Sequence, residues 1–492
     1  MPRKAIDGLQ PEILWNRFYE ITQIPRPSKK EQKILKYLKS WAEENNFSCK
    51  QDKIGNLVVR VPASSSMEDF PAVVLQGHVD MVCEMNKGTK HNFETDPLKL
   101  KQEKGWIKAE GTTLGSDNGI GLAAGMAIAE DINAVHGPLE LLFTVDEETG
   151  LTGADYLKPG FISGKYLLNL DSEEDGIFYI GCAGGLDTAG YFDIKKEPAP
   201  KNASSYELLV KGLKGGHSGS DINLGKANAV KVLARTLDAL KTIDYSVADI
   251  SGGLLRNAIP REAEAVLMFK DSELQKAKAL IVVTCDNIVK EYKTVDGGLN
   301  IVLKKTAGSH PEVFTKQFTD NLIKVLLAIP HGVQEMSQDI PGLVETSTNL
   351  ASVKTEKDKI IIGTSQRSSI NSAIHSIAKS VSSVIELGGG QAKSSDGYPG
   401  WKPNLNSKIM KLSNDVYKEL FGSEPLIQAI HAGLECGILG NKYPGIDMVS
   451  FGPTIIGAHS PDEAVEIKSV SKFYELLKGV LARVTELESG LK

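Results

Sequence analysis

Four short apolar runs constrain this chain more than any other feature. They are Ala72-Val-Val-Leu-Gln-Gly-His78, Leu139-Glu-Leu-Leu-Phe-Thr-Val145, Tyr166-Leu-Leu-Asn-Leu170 and, far downstream, Met448-Val-Ser-Phe451. Each has strand length and gives way to polar residues, and helical patterns such as Ile120–Glu130 lie between them. Near-continuous hydrophobicity marks strands covered on both faces, as in the parallel part of an α/β sheet. The chain has 492 residues. One core rarely grows past roughly 250–300 residues, so two domains or more are expected.

The middle of the chain has a different rhythm. Strand 206–213, helix 226–240, strands 245–254 and 262–269 and helix 272–292 are predicted, after helices over 12–45 broken by Pro25 and Pro27. The same order then returns as strand 299–304, helix 314–327, strands 343–353 and 359–364 and helix 370–387. This repeats the order of elements, not of residues. The expected architecture is therefore α/β, a mixed sheet with helices on both faces, carrying an inserted α+β domain of two similar halves. The discontinuous first domain would span 1–187 and 396–492. The insert would span 188–395, with halves at about 205–295 and 298–390. Gly388-Gly-Gly-Gln-Ala-Lys-Ser-Ser-Asp-Gly-Tyr-Pro399 reads as the return linker.

Composition excludes several classes. Net charge is -6, and lysine and arginine are spread along the chain without a basic patch, so no nucleic-acid partner is expected. No run of about 18 apolar residues exists, so no membrane span is expected. The amino-terminal stretch lacks the apolar core of a signal peptide. The five cysteines (49, 83, 182, 285 and 436) are widely spaced with no Cys-x-x-Cys pair. That fits free thiols in the cytoplasm and argues against cysteine-ligated zinc.

In open α/β sheets, sites form beyond the carboxyl ends of strands. His78-Val-Asp80 closes the first run, Asp146-Glu147-Glu148-Thr-Gly150 the second, and Asp171-Ser-Glu173 follows the third. Asp117 lies in Leu114-Gly-Ser-Asp-Asn-Gly-Ile-Gly121, at the start of a helical run, and Gly457-Ala-His459-Ser-Pro-Asp-Glu463 follows the last strand. Taken singly, these motifs read equally as a solvated turn, an acidic surface loop or a helix cap. Their joint placement points to a metal site.

Five ligands give two tetrahedral ions three each only if one carboxylate bridges. Asp117 as the bridge gives one ion His78, Asp117 and Asp171, and the other Asp117, Glu148 and His459. A shared hydroxide would complete both spheres. Asp80 is on the same side of an extended chain as His78 and can accept its other ring proton. Glu147, beside a ligand but directed elsewhere, is the expected general base.

These motifs resemble the co-catalytic zinc aminopeptidase, carboxypeptidase and aminoacylase superfamily. Within it, the chain resembles the aminoacyl-histidine dipeptidases, also called cytosol non-specific dipeptidases or peptidase D. The resemblance rests on Gln76–Val82, Thr113–Gly121, Thr144–Gly150, Leu168–Glu173 and Gly457–Glu463, and covers nearly the whole chain. It implies the ligand scheme above, with Asp80 and Glu147 in the roles given.

The resemblance also implies a lid domain. Gly215-Gly-His217-Ser-Gly219 matches the family motif whose histidine stabilises the oxyanion, and Asn257 lies in a substrate-contacting segment, Arg256–Pro260. Arg367 is a candidate clamp for the substrate carboxylate. His431-Ala-Gly433-Leu-Glu435 resembles the stretch lining the specificity pocket, with Gly433 near substrate; either His431 or Glu435 could recognise a free amino group. In simpler members the oxyanion histidine comes from a partner subunit. The doubled lid implies that His217 serves its own chain, and homodimerisation stays open.

The expected activity is hydrolysis of dipeptides, Xaa-His among them, with two zinc ions, for which cobalt or manganese could substitute. An N-acyl amino acid amidohydrolase or a tripeptidase would use the same metal core. A non-catalytic relative would have lost a ligand or the base, and none of those six residues is missing.

Overall fold

The computed structural model describes residues 2–308 and 310–487. The chain divides into two compact units. The first comprises residues up to Cys182, Trp401–Ala429 and Leu434 onward; the second comprises Ala183–Gly400 and Ile430–Gly433. Three boundaries differ from the sequence reading, the second unit ending at Gly400 rather than 395. The second unit begins at Ala183 rather than 188, because a strand opens at Gly184. Residues 430–433 belong to it as well, where the Ala183 N–H donates to Ile430 O at 3.0 Å and Ala432 O at 3.1 Å.

The first unit is built on a mixed eight-stranded sheet. Its order is Ser48–Gln51, Leu57–Val61, Leu139–Thr144, Val73–His78, Tyr166–Asn169, Asp447–Ser450, Ile177–Cys182, Leu426–Ile430. The four expected runs form its centre and are mutually parallel. Every residue of Val73–His78, Leu139–Thr144 and Tyr166–Asn169 is buried, so both sheet faces are covered, as continuous hydrophobicity requires. Register places the carboxyl ends side by side: His78 pairs with Thr144, and Asn169 with both Gln76 and Ser450. Residues just beyond these positions are thereby gathered at one edge.

The helix Ser116–Glu130 packs on Val73–His78, and Asp117 and Asn118 leave helical geometry at its start. The close approach needs Gly77: a Cβ there would lie 2.1 Å from Asn118 Oδ1. A four-stranded sheet, ordered Ile455–Ile456, Ala464–Glu466, Trp106–Ala109, Leu100–Glu103, carries the Gly457–Glu463 loop as a hairpin. The sequence reading had no hairpin here; its strands are only two and three residues long.

The second unit is a nine-stranded sheet packed on the helices Ala229–Ala239, Leu274–Tyr292, Lys316–Ala328 and Asn371–Leu387. Its main path runs Asn300–Thr306, Ser204–Lys211, Ala263–Phe269, Ser246–Gly252, Val344–Glu356, Lys359–Ser368, Gly184–Asp193, Gln391–Ser394; Gly332–Met336 joins Val344–Glu356 from the side. Two trios, Ser204–Lys211 with Ala263–Phe269 and Ser246–Gly252, and Gly184–Asp193 with Lys359–Ser368 and Val344–Glu356, meet at Ser246–Gly252 and Val344–Glu356, each with one further strand on its outer edge, giving an approximate twofold in strand order.

The elements recur in chain order as the sequence suggests, but pairing corrects the halves. Asn300–Thr306, expected to open the second half, adds to the outer edge of Ser204–Lys211. Gly184–Asp193 takes the corresponding place beside Lys359–Ser368. The stretch read as a return linker contains the edge strand Gln391–Ser394. Glycines at 184, 185 and 190 hid the first of these strands, and a polar sequence hid the second.

Candidate metal centre

The strand ends of the first unit bring five ligand-type side chains together. His78 Nε2 lies 3.0 Å from Asp117 Oδ1 and 3.3 Å from Asp171 Oδ1. His459 Nε2 lies 3.2 Å from Asp117 Oδ2 and 3.0 Å from Glu148 Oε2. Thus the two carboxylate oxygens of Asp117 face different imidazoles. Two three-residue groups share that aspartate: His78, Asp117, Asp171, and Asp117, Glu148, His459. His459 sits in the hairpin loop with a left-handed φ of 62° and a side chain 55% exposed, whereas His78 is buried.

Asp80 does more than the sequence suggested. Its Oδ1 is 3.4 Å from His78 Nδ1, long for a hydrogen bond. Its carboxylate also accepts from Ser28 Oγ at 2.8 Å, Glu147 N at 3.0 Å and Glu148 N at 3.2 Å. It therefore braces the turn that carries Glu147 and Glu148.

Negative charge is concentrated here. Burial, reinforced by neighbouring carboxylates, pushes Asp171 up to about 7 and Glu173 up to about 8. Burial resists ionisation of Asp117 too, yet the two imidazoles hold it well below the usual carboxylate range. Hydrogen bonds donated to Asp117 and Glu148 push His459 up to about 11. Glu148 Oε1 is buried with no hydrogen-bond partner, and Asp171 Oδ1 is buried with only His78 Nε2 beside it.

Glu435 is 0% exposed in the first unit. Its Oε2 accepts from Gln76 Nε2 at 2.6 Å and Thr144 Oγ1 at 2.7 Å, and burial pushes it up to about 7. Its other oxygen, Oε1, is buried with no hydrogen-bond partner.

The second unit gathers His217, Arg367 and His431 around Gly219. A Cβ on Gly219 would lie 2.2 Å from His431 O, 3.1 Å from His217 Cε1 and 3.3 Å from Arg367 Nε. His217 Nδ1 accepts from the N–H groups of Ser220 at 3.1 Å and Gly219 at 3.3 Å. Burial and the Arg367 charge lower its pKa, and Nδ1, as acceptor, leaves the ring hydrogen on Nε2. Arg367 is buried; its Nη1 donates to Tyr398 OH at 3.4 Å, and its Nε has no partner. No carboxylate within ion-pair distance of it is found among the described residues.

His431 bonds Ser347 Oγ at 2.7 Å, and burial beside Arg367 pushes it down to about 3. A Cβ on Gly433 would meet the Tyr398 ring at 2.9 Å. Asn257 is exposed, and its backbone carbonyl accepts from Ser218 N at 2.8 Å. Tyr398, Ser347, Glu173, Glu463 and Arg26 carried no role in the sequence reading. Arg26 lies between the prolines read only as a helix break, and Tyr398 in the stretch read as linker.

All five cysteines are free, and among the described residues no helix is long and apolar enough to cross a membrane. Ligand-type side chains beyond parallel strands, with one carboxylate shared between two imidazoles, define a metal-dependent hydrolase of the α/β class. The chain belongs to Peptidase family M20/M25/M40, whose pattern its residues 74–483 match. It is 40% identical over 480 residues to the cytosol non-specific dipeptidase of Escherichia coli (strain K12), covering 97% of this chain and 99% of that one. A solved aminoacylhistidine dipeptidase from Vibrio alginolyticus superposes with a TM-score of 0.89 at 40% identity, covering 98% of this chain and 99% of that one. A tripeptidase from Staphylococcus aureus shares the fold at a TM-score of 0.56 and 16% identity, covering 97% and 99%.

Proposed function

We propose that this chain is a cytoplasmic dipeptidase that cleaves L,L-dipeptides with free termini, Xaa-His among them, using two divalent ions with zinc as the default. The observation that carries the reading is Asp117, whose two oxygens each face a different histidine nitrogen. The donor set fits such ions. Nitrogen and oxygen bound at about 2.0–2.1 Å to tetrahedral zinc are about 3.3–3.4 Å apart. The contacts among these side chains run from 3.0 to 3.3 Å. The partnerless buried Oε1 of Glu148 suits coordination, and the crowded carboxylates suit added positive charge.

One ion would be held by His78, Asp117 and Asp171, the other by Asp117, Glu148 and His459. Such ions supply Lewis acidity, polarising the peptide carbonyl and lowering the pKa of the attacking water. Glu147 takes the proton of that water and delivers it to the leaving amine as the C–N bond breaks, which yields two amino acids. Asp80 keeps His78 oriented and the Glu147–Glu148 turn in place. From the second unit, the Nε2–H of neutral His217 is assigned to the developing oxyanion. Arg367 is assigned to the substrate carboxylate, and Asn257, His431 and Gly433 to the rest of the substrate.

The same core would serve a tripeptidase or an N-acyl amino acid amidohydrolase, and the fold does not rank them. The test is a panel of dipeptides, tripeptides and N-acetyl amino acids, run on metal-reconstituted protein alongside metal analysis. Turnover of acetylated amino acids without turnover of dipeptides would replace this reading with the amidohydrolase. Absence of both bound metal and hydrolysis would leave a binding protein.

A further inference from the structure

The Leu114–Asp117 segment carries the shared aspartate and opens a helix, so its backbone N–H groups have no partners within that helix. One carboxylate takes them all. Glu463 Oε2 accepts from Leu114 N at 2.7 Å and Gly115 N at 2.9 Å. Its Oε1 accepts from Ser116 N at 2.7 Å, Ser116 Oγ at 2.6 Å and Asp117 N at 3.3 Å. Glu463 is 2% exposed and lies four residues beyond His459 in the same hairpin loop. The loop is closed on itself by Ser460 N to Gly457 O and Glu463 N to Ser460 O, both at 3.1 Å. Its carboxylate therefore links the segment holding the shared aspartate to the loop holding one histidine.

The opposite side of the segment is held by a buried cation. Arg26, 1% exposed, donates through Nη1 to Val79 O at 2.9 Å and Asp80 O at 2.7 Å, and through Nη2 to Gly115 O. It links the same segment to the strand end that carries His78. Two buried, opposite charges thus tie residues 114–117 to the two histidine-bearing segments, one each.

We propose that Glu463 is a positioning residue that holds Asp117 at the distance needed to share its carboxylate with the His459 side. This rests on the two-ion reading above. An ordinary helix cap is local in sequence and acts on stability alone. Here the capping group arrives from the loop of another ligand, so losing it loosens His459 relative to Asp117. Arg26 still grips the His78 side. The effect falls on one ion.

The experiment is zinc competition against a chromogenic chelator, with zinc per chain measured after desalting, on the full metal-stripped protein. In Glu463→Gln, the first ion should bind as in wild type and the second about 10–100-fold more weakly, the range for outer-shell groups. Ser116→Ala removes only the hydroxyl donor and should weaken the second ion by a smaller factor. Wild-type affinity for both ions in folded Glu463→Gln, or equal weakening of both, would overturn the proposal. If Glu463→Gln does not fold, Ser116→Ala decides, and an unchanged second ion there overturns it. Fewer than two ions in wild type would instead remove the two-ion reading, and this proposal with it.

Discussion

Replacing Asp80 by alanine should damage the metal centre through the turn it braces more than through the histidine it faces. Its carboxylate receives three hydrogen bonds of 2.8, 3.0 and 3.2 Å, from Ser28 and the N–H groups of Glu147 and Glu148. Bonds to a charged group are worth about 1.5–3 kcal/mol each. Water entering the space restores part of that, so the net loss is about 3–5 kcal/mol, as for other broken buried charges. The His78 contact, at 3.4 Å, adds little. Freed, the Glu147–Glu148 turn no longer presents one ligand and the base together. Metal affinity and turnover should each fall about 10–100-fold. Asp80→Asn keeps the volume and one acceptor oxygen, so it should lie between alanine and wild type. Chelator competition measures the affinity, and dipeptide hydrolysis at saturating metal measures turnover. An Asp80→Ala protein with affinity and turnover within twofold of wild type would refute the bracing role.

Glu147→Ala should keep both ions but lose about 10²–10⁴-fold or more in turnover; loss of metal in that variant would mean that Glu147 is a ligand. Arg367→Ala should raise KM for dipeptides about 10–100-fold, the worth of a lost hydrogen bond to a charged group, with little change for dipeptides amidated at the carboxyl end. Equal losses on both substrates would remove the carboxylate clamp. Burial and the nearby Lys231 push His331 down to about 4, against about 6.5 for an unfolded histidine. The unfolded chain therefore binds the extra proton first, so stability is intact above about pH 6.5 and falls by up to about 3 kcal/mol toward pH 4. Denaturant midpoints of His331→Asn should lose that part of the acid slope, and an unchanged slope would exonerate His331.

The candidate metal centre was legible because the side chains gathered there obey a local rule. Each follows an apolar run or opens a helix, and parallel strands in register put such positions at one edge. Residues 114–117 and 457–463 were legible as loops for the same reason. What could not be read were the groups that hold those loops. Glu463 and Ser116 are 347 residues apart, and Arg26 and Gly115 are 89 apart. No periodicity encodes such contacts. Glu435 was legible as a carboxylate but its partners were not; only packing shows it accepting from Thr144 and Gln76. In the second unit, propensity gave the order of elements but not their partners. Asn300–Thr306 and Gly184–Asp193 differ in which edge they join, and edges are settled by the whole sheet.

The approximate twofold of the nine-stranded sheet has an evolutionary consequence. Two identical copies of a domain must change every position in both places at once. Two trios covalently joined in one polypeptide are released from that constraint, and each can drift toward its own task. Here His217 follows the first trio's outer strand, while Arg367 lies near the end of the second trio's central strand. The two side chains thus fall one to each trio.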